Sequence, residues 1–156
     1  MYPALKIMRK TGTEPFLSDG NPLNFDLLSF WQWSCSDLVG NALRGVLTEY
    51  IVATAVCGAD KVRIEWDAYD IETPEGIKVE VKSGAYIQSW SQKKLSAIQF
   101  GIQQTQGWNA KTNNYSIQKA RQADVYVFCV LAHKINTQSI HWIWINGTFM
   151  SSPRLS

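Results

Sequence analysis

Apolar residues recur at helical spacing in one stretch of the chain and alternate with polar residues in several others. Val39, Leu43, Val46, Leu47, Tyr50 and Ile51 fall at helical spacing, which predicts a long helix over 36–57. Ser36 is placed to cap it, Asp37 suits its first turn, and Gly58 marks its stop. Alternation at 69–72 and 77–83 on either side of Thr73-Pro74-Glu75-Gly76 predicts a β-hairpin over 62–72 and 77–83. In its second strand Ile77, Val79 and Val81 share one face, and Lys78, Glu80 and Lys82 share the other. Ile98, Phe100 and Ile102 alternate with Gln99, Gly101 and Gln103, which predicts a strand within 85–104. Residues 106–114 read as a polar loop and 115–122 as a short helix. Val125 to Leu131 is a continuous apolar run, the pattern of a buried strand. Ile140 to Ile145 reads as another, and the final residues as unstructured.

These elements describe an α/β domain with a mixed sheet and helices on its faces. Residues 1–22, punctuated by Gly12, Pro15, Gly20 and Pro22, form a variable lead-in, and the core spans about 36–146 of a single 1–156 domain. A length of 156 residues suits one domain with its own core. The sequence carries neither an apolar span of bilayer length nor a signal-peptide pattern, which implies a soluble, cytoplasmic protein with no membrane partner. Cys35, Cys57 and Cys129 form no C-x-x-C pair, and His133 and His141 read as structural. The expectation is reduced, buried cysteines and no zinc site.

The net charge of +2 says little, but its distribution says more. Residues 1–82 carry 8 Lys/Arg against 12 Asp/Glu, a net of −4, and residues 83–156 carry 7 Lys/Arg against one acid, Asp124, a net of +6. Such asymmetry suggests a surface that faces a polyanion.

The polar face of the hairpin offers Asp70 from one strand and Glu80 and Lys82 from the other. Two neighbouring carboxylates repel unless a cation lies between them, and hard oxygen ligands suit Mg²⁺. The carbonyl of Val81 offers a further ligand, and Glu49, at the margin of the helix's apolar face, needs a partner, water or a metal. Lys82 is placed to orient a water or to offset charge on a phosphoryl group. Asp67 competes with Asp70 for the acid position, since a bulge would bring it to the Glu80 face. The plain alternative is a solvated hairpin face of cross-strand ion pairs.

Glu80-Val81-Lys82-Ser83 after Asp70, preceded by the helical stretch Arg44-Gly45-Val46-Leu47-Thr48-Glu49-Tyr50, resembles the PD-(D/E)XK nuclease superfamily, which includes restriction endonucleases and Holliday-junction resolvases. The name's proline is absent, because Tyr69 precedes Asp70. The resemblance implies a restriction-endonuclease-like fold, a largely four-stranded mixed sheet flanked by helices. It implies a Mg²⁺-dependent endonuclease acting on nucleic acid, with DNA the expected substrate and Mn²⁺ able to replace Mg²⁺. Asp70, Glu80, Val81 and Glu49 would serve the metal, and Lys82 the reaction. A homodimer would follow if both strands of a duplex are cut. The competing reading is a nucleic-acid-binding protein that keeps the fold without cleaving. Gln88, Lys93, Lys94, Lys111, Lys119 and Arg121 are candidate nucleic-acid contacts, with Gln99, Tyr86 and Trp90 as further polar or stacking candidates.

Overall fold

The computed structural model describes residues 5–65, 68–109, 114–134 and 148–153. The chain divides into two compact units, Met1–Leu38 and Val39–Ser156.

In the first unit the lead-in is structured. Strands β1 (Pro15–Ser18) and β2 (Asn21–Asp26) pair antiparallel, with Ser18 opposite Asn21. The link is Asp19-Gly20, whose φ angles of 50° and 81° are the positive pair that a two-residue hairpin turn requires. Phe16 and Phe25 pack at 5.3 Å between ring centroids. Helix α1 (Leu27–Ser34) starts on Asp26, whose carboxylate accepts from the Ser29 N–H at 2.9 Å. Glu14 accepts from the backbone N–H groups of Thr11 and Gly12 at 3.0 and 2.9 Å, which holds its carboxyl down at about 2.

The second unit is mixed α/β. Helix α2 runs Asn41–Ala55, five residues later at its start than the periodicity predicts. Gly40 is its N-cap; the Ser36 hydroxyl instead donates to the Gln32 carbonyl, and Asp37 precedes the helix. At the other end Cys57 takes φ 55°, Gly58 N–H donates to Ala53 O at 2.8 Å and Cys57 N–H to Thr54 O at 3.4 Å, a Schellman closure. Gly58 is needed there for space, because a Cβ would stand 2.8 Å from Ile71 Cγ2.

The predicted hairpin forms, but its first strand is only β3 (Ile71–Glu72), paired antiparallel with β4 (Lys78–Ala85). Gly76, at φ 84°, closes the turn and donates to Thr73 O at 2.9 Å. Strands β5 (Thr105–Asn109) and β6 (Asn114–Ala120) form a separate antiparallel hairpin where a loop and a short helix were expected. Tyr115, Ile117 and Lys119 alternate with Ser116 and Gln118 there. That period of two, with Trp108 opposite Tyr115, prevails over any helical tendency. Strand β7 (Val125–Leu131) is the predicted buried strand and lies parallel to β4, with Glu80 beside Tyr126 and Lys82 beside Phe128. Strand β8 (Thr148–Pro153), near a terminus expected to be unstructured, pairs antiparallel with β7. The main sheet is therefore ordered β3-β4-β7-β8 and mixed. The strand predicted at 140–145 lies outside the described residues.

Residues 98–102 form no strand. Ile98, Phe100 and Ile102 are more buried than their neighbours, so the alternation is real, but it comes from packing rather than pairing. Ile98 and Phe100 lie over Gly84, and Phe100 packs on Phe128 at 4.9 Å between ring centroids.

Helix α2 packs on β4, and Val52 and Ala53 join Ile71, Val79, Val81 and Cys129 in the core. A second cluster joins Val39, Ala85, Ile87 and Leu131. Burial of each Val, Ile or Leu among them contributes about 1.5–3 kcal/mol. All three cysteines are free, but only Cys129 is buried; Cys35 and Cys57 follow helix ends and are exposed. Among the described residues no helix is long and apolar enough to cross a membrane.

Candidate active site

The face of β4 opposite the core carries Glu80 and Lys82, because Val79, Val81 and Ala85 take the buried face. Their side chains form an ion pair. The β3–β4 register matches Ile71 with Val79, and extending it by one residue sets Asp70 opposite Glu80. The ladder ends here. Asp70 still donates its own N–H to Val79 O at 3.1 Å, but its carboxylate accepts the next N–H along the β4 edge, that of Val81, at 2.6 Å. In a strand the N–H and C=O of one residue face the same neighbour, so the Val81 carbonyl faces the same side as the Asp70 carboxylate.

Asp70, Glu80 and Lys82 together line a cavity of about 810 Å³. Gln103, Trp108, Tyr115, Gln122 and Tyr126 also line it. The Asp70 carboxyl is pushed up to about 6, first by burial and then by the negative charges of Glu80 and Glu49, against the lowering effect of the Val81 hydrogen bond and Lys82. An acid so destabilised in its charged form is suited to receive a cation or a proton.

Glu49 is placed differently from the rest. It lies on α2, largely buried, with both carboxylate oxygens held by Arg63, and it is not among the residues lining the cavity. Its charge still reaches Asp70. The same pairing raises the pKa of Arg63, with Asp70 and Glu65 adding to it. Sequence reading gave Arg63 no role.

The candidate nucleic-acid contacts differ in their surroundings. Gln88 sits inside a polar network: it accepts from the buried Arg44 guanidinium at 3.0 Å and donates to Ala85 O and Ser96 Oγ. Lys93, Lys94 and Lys119 are exposed, as are Gln99 and Trp90. Arg121 donates to Ile102 O at 3.4 Å, tying the end of β6 to the 98–103 segment. Tyr86 carries Lys134 over its ring at 4.8 Å. Lys111, Asp67 and His141 lie outside the described residues.

Sequence reasoning missed Glu65, Trp108, Tyr115, Gln122 and Tyr126 in the cavity wall. Tyr126 was detectable as the single hydroxyl in the Val125–Leu131 run, one strand over from Glu80.

Among the described residues no group of three or more His, Cys, Asp or Glu is placed to hold a metal. Two carboxylates, a backbone carbonyl and water are a donor set for Mg²⁺, which keeps several waters, and not for a closed zinc site.

No curated protein and no solved structure matches the chain. Residues 28–143, most of the chain and including every residue placed above in the cavity, match the model of the bacteriophage T4 endonuclease IV family, and the chain belongs to that family.

Proposed function

We propose that this protein is a Mg²⁺-dependent DNA endonuclease whose centre is of the PD-(D/E)XK kind, built from Asp70, Glu80 and Lys82. The observation that carries the reading is the convergence of those three side chains on one cavity, with Asp70 anchored on the Val81 N–H. Membership in an endonuclease family supports nuclease activity. The mixed four-stranded sheet with α2 against β4 supports a restriction-endonuclease-like core.

Asp70 and Glu80 would hold the ion, with the Val81 carbonyl as third protein ligand. Bound there, Mg²⁺, or Mn²⁺ in its place, supplies a Lewis acid that acidifies a water and offsets phosphoryl charge. The Lys82 ammonium, held beside Glu80, donates to the attacking water or to the phosphoryl oxygens as charge develops on them. Glu49 supports the site through its charge on Asp70, and direct help to a metal-bound water requires release from Arg63. The exposed Lys93, Lys94 and Lys119 and the partly buried Arg121 would meet the polyanion, whereas Gln88 serves the interior network. Cutting both strands of a duplex would call for a second copy of the chain.

DNA cleavage measured against Mg²⁺ concentration tests this reading. Cutting that stops in chelator and returns with Mg²⁺ or Mn²⁺ is expected. Cutting undiminished by chelator would overturn it.

A further inference from the structure

The cavity is lined by two chemically distinct groups. One is the carboxylates and Lys82; the other is Trp108 and Tyr115 of the β5–β6 hairpin. The two rings stand opposite each other across the hairpin, 4.8 Å between centroids and tilted by 53°. Cross-strand aromatic pairs commonly stabilise hairpins, but such a pair normally gains by burial. Tyr115 instead remains 66 % exposed. Trp108 is half-buried.

The hairpin is also braced internally. Its register shifts between Gln106 and Trp108, at Gly107. A Cβ at Gly107 would meet the Gln122 carboxamide at 2.7 Å, so only glycine lets that group lie against the strand. The Gln122 amide nitrogen donates to Thr105 O at 2.9 Å and Ala120 O at 3.3 Å, and Gly107 N–H donates to Ser116 Oγ at 2.9 Å. These bonds stiffen the bulge beside the aromatic pair, which lines the cavity that the acids share.

We infer that Trp108 and Tyr115 form a wall on which a nucleobase stacks while its phosphodiester lies at Asp70, Glu80 and Lys82. The inference rests on the nucleic-acid reading of that site and assigns positioning residues to it. A flat aromatic face takes any base, and such stacking resists loss of sequence context. The volume lies in the range of pockets that enclose a small organic group, about 300–1,000 Å³.

The test is binding, read without metal so that it does not depend on cleavage. Fluorescence anisotropy would follow a labelled short oligodeoxynucleotide and an abasic sugar-phosphate oligomer of equal length. Wild type should bind the base-bearing strand more tightly than the abasic one. Tyr115→Ala should weaken the base-bearing strand roughly 5- to 150-fold and leave the abasic strand unchanged, and Tyr115→Phe should restore binding. Trp108→Ala should act in the same direction, but Tyr115 decides the matter because its exposure leaves its truncation little buried packing to lose. Equal binding of both strands by wild type, no loss in Tyr115→Ala, or a loss that Tyr115→Phe fails to restore would each overturn the inference. Metal-dependent cleavage that persists beside any of those results would leave the nuclease reading standing.

Discussion

Replacing Asp70 by asparagine should stabilise the metal-free protein. Holding a carboxyl at about 6 rather than its usual 3.8 costs the folded state about 3 kcal/mol once it is ionised. Because part of the carboxylate still meets water, about 1–3 kcal/mol is the working range. The sign follows from proton binding. Folded Asp70 keeps its proton to higher pH than the unfolded chain does, so stability falls as pH rises from about 4 to about 6 and stays lowered above that. Asparagine has no such dependence, and its carbonyl oxygen can still accept from Val81 N–H. Urea unfolding in chelator should therefore find Asp70→Asn more stable by about 1–3 kcal/mol near pH 7, with the advantage gone below about pH 4. Added Mg²⁺ should narrow the difference by stabilising wild type alone. A variant less stable than wild type at neutral pH, or a difference that does not change with pH, would refute the reasoning.

Other outcomes follow from the same geometry. Lys82→Ala should lower the cleavage rate by about 10²- to 10³-fold, as loss of one charge-stabilising donor does. Its unfolding midpoint should hardly move, since the Glu80 partner is partly solvated. Gly58→Ala should destabilise by about 1–3 kcal/mol in denaturant unfolding, because the new methyl meets Ile71. In the first unit, the Glu14 carboxylate secures the Thr11 and Gly12 amides above its unfolded pKa of 4.5, and that support is lost as pH falls toward about 2. The two amide resonances should shift together with a midpoint near 2, and a midpoint near 4.5 would contradict the hydrogen bonds.

The hairpin that carries Glu80 and Lys82 was legible because alternation and the Pro-Glu-Gly turn agreed, and the apolar run 125–131 was legible because both its faces carry apolar packing, Val125, Val127 and Cys129 at the core and Phe128 against Phe100. The start of α2 was not, since Ser36 and Asp37 have the chemistry of a cap and yet the Ser36 hydroxyl bonds back to Gln32. The β5–β6 hairpin was hidden by Gly107 and by the asparagines near its turn, which read as loop when the aromatic pairing of Trp108 with Tyr115 is not yet known. Residues 98–102 carried a true alternation that reported packing over Gly84 and Phe128, not a ladder. Of the site, the acid pair and lysine were visible in sequence. The Arg63 clamp on Glu49 and the aromatic wall depend on contacts between different elements, which periodicity within one element does not report.

The most direct measurement is single-turnover cleavage of a panel of circular, linear, single-stranded and branched DNA in Mg²⁺ by wild type, Asp70→Asn and Lys82→Ala. The site described here predicts cutting by wild type of at least one substrate and loss in both variants, with Asp70→Asn folded and more stable. Cutting that survives in both variants, or a wild type that cuts none of the panel, would contradict it.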